Sequence, residues 1–209
     1  MARTRCLAGT SPTRWEPPVD PVPSMPEAVT VRPAVLDDAQ AIAAIHVAAW
    51  RETYAGLLPA GMIAAQTVER RFAMWTRILG DPASGTAVEV AEEGAGLVGF
   101  GSCGAQRSAE LAADGFGGEV SAVYVLRSAQ RRGTGTALMA ALAARLNQAG
   151  HRAASLWVLS ENLSARRFYE RLGGVAVGAR KEHREDGSLV EVAYGWRDCA
   201  AIRRGAASG

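Results

Sequence analysis

The chain has 209 residues, 48% of them hydrophobic and 21% charged, with a formal net charge of +2. That is the composition of an ordinary globular protein with a core of ample size, and it argues against nucleic acid or an anionic membrane as main partner. Three scattered cysteines (Cys6, Cys103, Cys199), three isolated histidines (His46, His151, His183) and the lack of any long apolar run speak against a disulfide framework, a metal centre, a signal peptide or a membrane span, and predict a cytoplasmic protein.

Residues 1–28 hold six of the nine prolines and no periodic apolar face, so they are expected to form a disordered extension. The domain proper, expected over 29–197, opens with a short strand at 29–32. Asp37 is placed to cap a first helix, with Gln40 three residues on in the manner of a capping box. Ile42, Ile45, His46 and Ala49 follow at helical spacing, and His46 on that apolar side reads as a core histidine. A second helix runs through Val68, Phe72, Trp75 and Leu79 and stops at Gly80, Asp81 and Pro82. Strands at 86–91 and 97–105 form a hairpin around Gly94 and Gly96. A polar loop fills 106–118, and an apolar strand follows at 120–126.

The next helix spans 133–148, with Gly150 as its stop, and a buried strand lies at 154–159. Ala165, Phe168, Tyr169 and Leu172 mark a further helix, ended by Gly173 and Gly174. Strands at 175–181 and 188–196 flank the hairpin signal Glu185-Asp186-Gly187. The tail, 198–209, is expected to be flexible. The order β-α-α-β-β-β-α-β-α-β-β predicts an α/β fold, a central mixed sheet with helices on both faces.

The segment Gln130-Arg131-Arg132-Gly133-Thr134-Gly135 runs from a strand straight into a helix. The first helical turn leaves backbone N–H groups unpaired and carries partial positive charge. Gly133 and Gly135 keep side chains away from that backbone, Thr134 and Thr136 can add hydroxyls, and Arg131 and Arg132 bring charge alongside, which together suit a diphosphate. The lysine of a P-loop and the third glycine of a dinucleotide fingerprint are both missing.

This segment resembles the acyl-CoA pyrophosphate loop of the GNAT superfamily of N-acetyltransferases, Gln/Arg-x-x-Gly-x-Gly/Ala. The strand order from Val29 to Trp196 is similar too. Asn162-Leu-Ser-Ala-Arg-Arg-Phe-Tyr-Glu-Arg-Leu-Gly173 looks like the family's second signature, and the stretch from Trp50 to Pro59 is similar to a run in many bacterial members. The resemblance implies acetyl-CoA as co-substrate and no metal. It implies that Val123, Tyr124 and Val125 pair their backbone with the pantetheine arm, that amides of Arg131 to Thr136 hold the pyrophosphate, and that Asn162 bonds the pantetheine.

Tyr169 would stand near the thioester sulfur as general acid, suiting a phenol that protonates a departing thiolate. Its place on the apolar face also fits a plain core tyrosine. The attacking amine must be neutral, so a base is useful; Glu119 is the first candidate, with ordered water or a solvated strand-end carboxylate as the other readings. A backbone N–H near Val125 would meet the oxyanion. Glu52 and Tyr54, with Trp50 and Arg51 beside them, are candidates for the acceptor side. Cys103 reads as a small buried hydrophobe.

The function implied is transfer of an acetyl group to a primary amine of a small molecule, without a covalent enzyme intermediate. A protein lysine or N-terminal acetyltransferase, or a non-catalytic acyl-CoA-binding regulatory module, are the alternatives. A homodimer through the C-terminal strands is open.

Overall fold

A computed structural model describes residues 28–184 and 187–206. The Pro-rich stretch 1–27, the turn residues Glu185 and Asp186, and residues 207–209 lie outside the described residues. In chain order the elements are β1 (Thr30–Pro33), α1 (Ala39–Tyr54), α2 (Ala60–Ala64), α3 (Val68–Gly80), β2 (Ala87–Glu93), β3 (Gly96–Ala105), α4 (Ala109–Ala113), β4 (Gly118–Val125), α5 (Thr134–Gln148), β5 (Ala154–Leu159), α6 (Leu163–Arg171), β6 (Val175–Arg184) and β7 (Gly187–Trp196). A 3-10 segment, Cys199–Ala206, follows.

The strands form one sheet in the order β1-β2-β3-β4-β5-β7-β6, antiparallel throughout except for β4 against β5. Alternation along the strands divides the core in two. Val120, Leu156 and Val158 face α5 and α6, where Met139, Leu142, Leu146 and Leu172 are buried. On the opposite face, Val88, Val90 and Phe100 meet Ile42, Ile45 and Trp75 of α1 and α3. Also on that face, Leu111 and Phe116 pack with Ala193 and Trp157. The helices on both faces and the main element order agree with the sequence-based expectation.

Four local expectations are corrected. A 3-10 turn, Leu36–Asp38, precedes α1, so Asp38 and not Asp37 stands at its N-cap. The Asp38 carboxylate does not cap α1. It accepts the Val35 N–H at 2.8 Å and takes two bonds from Arg32 at 2.7 and 2.9 Å, because the end of β1 delivers that guanidinium to it. The connection after α1 contains the extra short helix α2, and the loop 106–118 contains α4, capped by the Ser108 hydroxyl. The tail is docked through residue 202: Cys199 and Ile202 are buried against the α5 face, and the Cys199 N–H donates to the Arg152 carbonyl at 2.8 Å.

Candidate active site

β4 and β5 run side by side for only two residue pairs, Gly118 with Ala154 and Glu119 with Ser155. Beyond them β4 stays on β3 while β5 stays on β7, and the two diverge. The register of β4 against β3 slips at Ser121, which is left unopposed between Val120 and Ala122. Such a bulge adds local twist and turns a strand away from its neighbour. The Leu126 N–H donates to the Val98 carbonyl. Since strand residues alternate in the direction of their backbone groups, those of Val123 and Val125 point away from β3 and into the gap. The gap widens into a cleft of about 840 Å³.

At one end of the cleft the chain turns from β4 into α5 through Arg131, with φ of 59°, and Gly133, with φ of 87°. Gly133 is the N-cap of α5 and tolerates this left-handed backbone; Arg131 bears it as strain. The N–H groups of Arg131 through Thr136 have no acceptor among the described residues; that of Ala137 is the first to find one, the Gly133 carbonyl at 2.9 Å. Gln130, Arg131, Gly133, Gly135 and Thr136 line the cleft. Gln130 also clips the loop to β4, its amide nitrogen donating to the Val125 carbonyl at 2.9 Å. This leaves Val125 with its N–H facing the gap.

Two members of the predicted loop face elsewhere. The Thr134 hydroxyl is buried and donates to the Ala129 carbonyl at 2.9 Å, and the Arg132 guanidinium pairs with Glu93. Neither side chain is in the cleft wall. Gly135 also has a different reason for its missing side chain: a Cβ there would stand 3.2 Å from Cζ of Phe168.

α6 forms the opposite wall. Asn162 caps it, its side-chain carbonyl accepting the Ala165 N–H at 3.1 Å, while its amide nitrogen has no acceptor among the described residues. Tyr169 is buried, yet it lines the cleft, and its hydroxyl has no hydrogen-bond partner among the described residues. Burial pushes its phenol well above the ordinary value, with a smaller push from Tyr54. Burial likewise raises Tyr54 and Tyr124, which line the same cleft. Tyr124 rests against α1, its ring stacked on that of His46 at 4.8 Å. His46 is a core residue as expected, its Nδ1 accepting the Trp75 indole N–H at 3.2 Å and its pKa pushed down to about 3 by burial. Cys103 is buried on β3, with its thiol pushed up to about 12 by burial.

Glu119 and Glu52 are placed less simply. Glu119 is buried at the point where β4 and β5 part, but both its oxygens are held by Arg107: the backbone N–H at 3.0 Å, Nε at 3.1 Å, and Nη2. It is not among the residues that line the cleft. Neighbouring Gln106 ties the same junction from the other side, donating to the Ser155 hydroxyl at 2.6 Å. Nothing in the spacing of Arg107 and Glu119 announces this pair, since it depends on the β3–β4 connection doubling back. Glu52 does line the cleft, and its carboxylate accepts the Arg127 N–H at 3.0 Å, tying α1 to the segment before the Gln130–Thr136 loop.

A strand gap that exposes backbone donors, a loop and helix start that offer six open amides, and an uncommitted buried phenol would suit an elongated thioester with an anionic end. Comparison with known proteins agrees. Residues 42–174 match the acetyltransferase (GNAT) family. The chain is 34% identical over 176 residues to YuaI of Bacillus subtilis (strain 168), an uncharacterized N-acetyltransferase, covering 84% of this chain and 96% of that one. The fold is similar to an N-acetyltransferase from Staphylococcus aureus Mu50, with TM-score 0.64, 20% identity, and 83% and 99% of the two chains covered. It is also similar to the PaiA N-acetyltransferase of Thermoplasma acidophilum, solved in complex with coenzyme A, with TM-score 0.58, 15% identity, and 79% and 98% covered. The chain is therefore an acetyltransferase of the GNAT family.

Proposed function

We propose that the protein transfers the acetyl group of acetyl-CoA to a primary amine of a small molecule, in the cytoplasm and by direct attack. The observation that carries this reading is the Tyr169 hydroxyl, in the cleft wall and without a partner among the described residues. The residues present fit acetyl-CoA. The amides of Arg131 to Thr136 suit its pyrophosphate, the backbone of Val123 and Val125 suits its pantetheine amides, and the open amide nitrogen of Asn162 is a further donor.

The chemistry asks three things of this chain. An N–H of β4 that faces the gap and is not paired with the pantetheine is available to stabilise the oxyanion that forms as a neutral amine adds to the thioester carbon. Collapse breaks the C–S bond, and the leaving thiolate needs a proton. Tyr169, held protonated by burial, supplies it, and the proton that the adduct nitrogen sheds in becoming an amide returns to the phenolate through water. The acceptor ammonium must first lose a proton. Glu119 can take it only after Arg107 withdraws, since its oxygens are engaged, so water in the open cleft is the more direct route.

The test is acetyl-CoA with a panel of small amines and of peptides bearing a lysine or a free N-terminus, following free thiol and acetylated product. Amine-dependent thiol release that falls by ~10²-fold in Tyr169→Phe supports the reading. Equal rates in the two proteins would remove Tyr169 from the chemistry. Turnover of peptides alone would replace small amines by protein as acceptor. Absence of acetyl-CoA binding in calorimetry would overturn the proposal as a whole.

A further inference from the structure

Five arginines among the described residues carry a carboxylate partner: Arg32 with Asp38 and Glu92, Arg107 with Glu119, Arg132 with Glu93, Arg145 with Glu89, and Arg180 with Glu191. Arg71, at the end of the first turn of α3, differs. It is about half-buried, yet its partners are neutral: Gln66, whose carbonyl oxygen accepts from Nη2 at 2.5 Å, and the Met74 sulfur, 3.5 Å from Nη1. Its Nε–H is buried without an acceptor, and among the described residues no other arginine has a buried nitrogen in that state.

A second observation points the same way. The guanidinium lies 5.9 Å from the ring centre of Trp50, and the indole N–H of Trp50 is also buried without an acceptor among the described residues. Two neighbouring side chains, one of them charged, thus each present a buried N–H, Arg71 Nε and Trp50 Nε1, that has no acceptor among the described residues. An unmade hydrogen bond on a buried donor costs about 1–3 kcal/mol, and more when the group is charged. What is missing is an anion with at least two acceptor atoms.

The position says what that anion belongs to. Trp50 packs on Tyr54 at 4.4 Å between ring centres, and Tyr54 and Tyr124 line the cleft. Arg71 is therefore one aromatic side chain behind the part of the cleft wall that Tyr54 and Tyr124 form. Its charge is felt at Tyr124 and at His46, where it disfavours a second positive charge. A polyamine would meet that field unfavourably. An amine that carries its own carboxylate would not.

We infer that Arg71 and Trp50 form the subsite for the carboxylate of an amino-acid acceptor. This deepens the acetyl-transfer reading and rests on it. The carboxylate takes the place of the Gln66 oxygen on the guanidinium and receives the Arg71 Nε–H and the Trp50 indole N–H. Gln66 lies in the short connection between α2 and α3, so its withdrawal opens the subsite without disturbing the sheet.

The experiment compares kcat/KM for a set of amino acids with that for the amines left when each carboxylate is removed, tyrosine against tyramine being one such pair. Wild type, Arg71→Gln, Arg71→Lys and Trp50→Phe are assayed, with acetyl-CoA affinity as the check that each variant is folded. The wild type is expected to favour the amino acids by ~10-fold or more, the range of one to two charge-assisted bonds. Arg71→Gln should abolish most of that preference through KM, Arg71→Lys should keep part of it, and Trp50→Phe should weaken it. Turnover of both classes without preference in the wild type overturns the inference and leaves acetyl transfer standing. So does a preference that survives undiminished in folded Arg71→Gln. Thiol release from neither class, with acetyl-CoA bound, overturns the small-amine reading and this inference together.

Discussion

The ring of Phe168 closes over the backbone of Gly135, so near that a Cβ at 135 would stand 3.2 Å from Cζ. This contact joins the first turn of α5 to α6, the two helix ends that flank the cleft. Gly135→Ala gains about 1 kcal/mol of helix propensity, while the half-buried Phe168 has to move by a few tenths of an ångström. We expect stability to change little and acetyl-CoA affinity to fall, because Phe168 itself lines the cleft. Gly135→Ala combined with Phe168→Leu should recover much of the loss, a coupling read from a double-mutant cycle in calorimetry. Full additivity of the two changes would show that the contact does not shape the site.

Arg131 holds a left-handed backbone that costs a residue with a side chain roughly 1–2 kcal/mol. Arg131→Gly is expected to be more stable than Arg131→Ala by about 1 kcal/mol, seen as a higher Tm. Both variants lose the guanidinium beside the open amides. Both should therefore bind acetyl-CoA more weakly than the wild type, and to a similar extent.

Burial raises the phenols of Tyr54, Tyr124 and Tyr169 above the value near 10 at which an unfolded tyrosine ionises. Below that pH both states carry these protons and stability is unaffected. Above it, the unfolded state gives them up while the folded state keeps them, so stability falls as pH rises, by about 1.4 kcal/mol per pH unit for each phenol still held. Denaturant melts between neutral pH and pH values above 10 should show this decline, and Tyr169→Phe should make it shallower. A decline of equal steepness in that variant would count against the burial of Tyr169.

Ile202 is fully buried against the face of α5. Ile202→Ala should cost about 2–4 kcal/mol by the cavity it leaves, and deletion from Cys199 onward should cost at least as much. A deletion with unchanged Tm would mean that the segment contributes nothing to the core.

Much of the site could be read in the chain because its parts are local. The strand at Ala154–Leu159, the helix that follows Gly133 and the helix through Phe168 and Tyr169 each follow from a few adjacent residues, and the structure has all three. What escaped were relationships between distant residues. Arg132 and Thr134 belong by sequence to the anion loop, yet Glu93 from the β2–β3 hairpin and the Ala129 carbonyl draw their side chains away. The loop pattern accounts for Gly135 by ligand access alone, whereas Phe168 from the next helix also requires it. The tail reads as flexible because Ile202 is its one large apolar residue, but Cys199 and Ile202 are both buried against α5.

The parting of β4 and β5 after two residue pairs leaves the sheet as two panels with a short seam. Most of the hydrogen bonds that would stitch β1–β4 to β5–β7 are absent from the protein itself, and a molecule lying in the gap would supply them. The enzyme without its thioester should thus breathe along this seam, and loading should quiet it. Amide exchange at Val123, Val125 and along β5 would slow on binding far more than exchange in β2 or β3, whose partners are already complete. On the proposed reading the co-substrate would double as a temporary strand, lending the fold cohesion across this seam each time the site is filled.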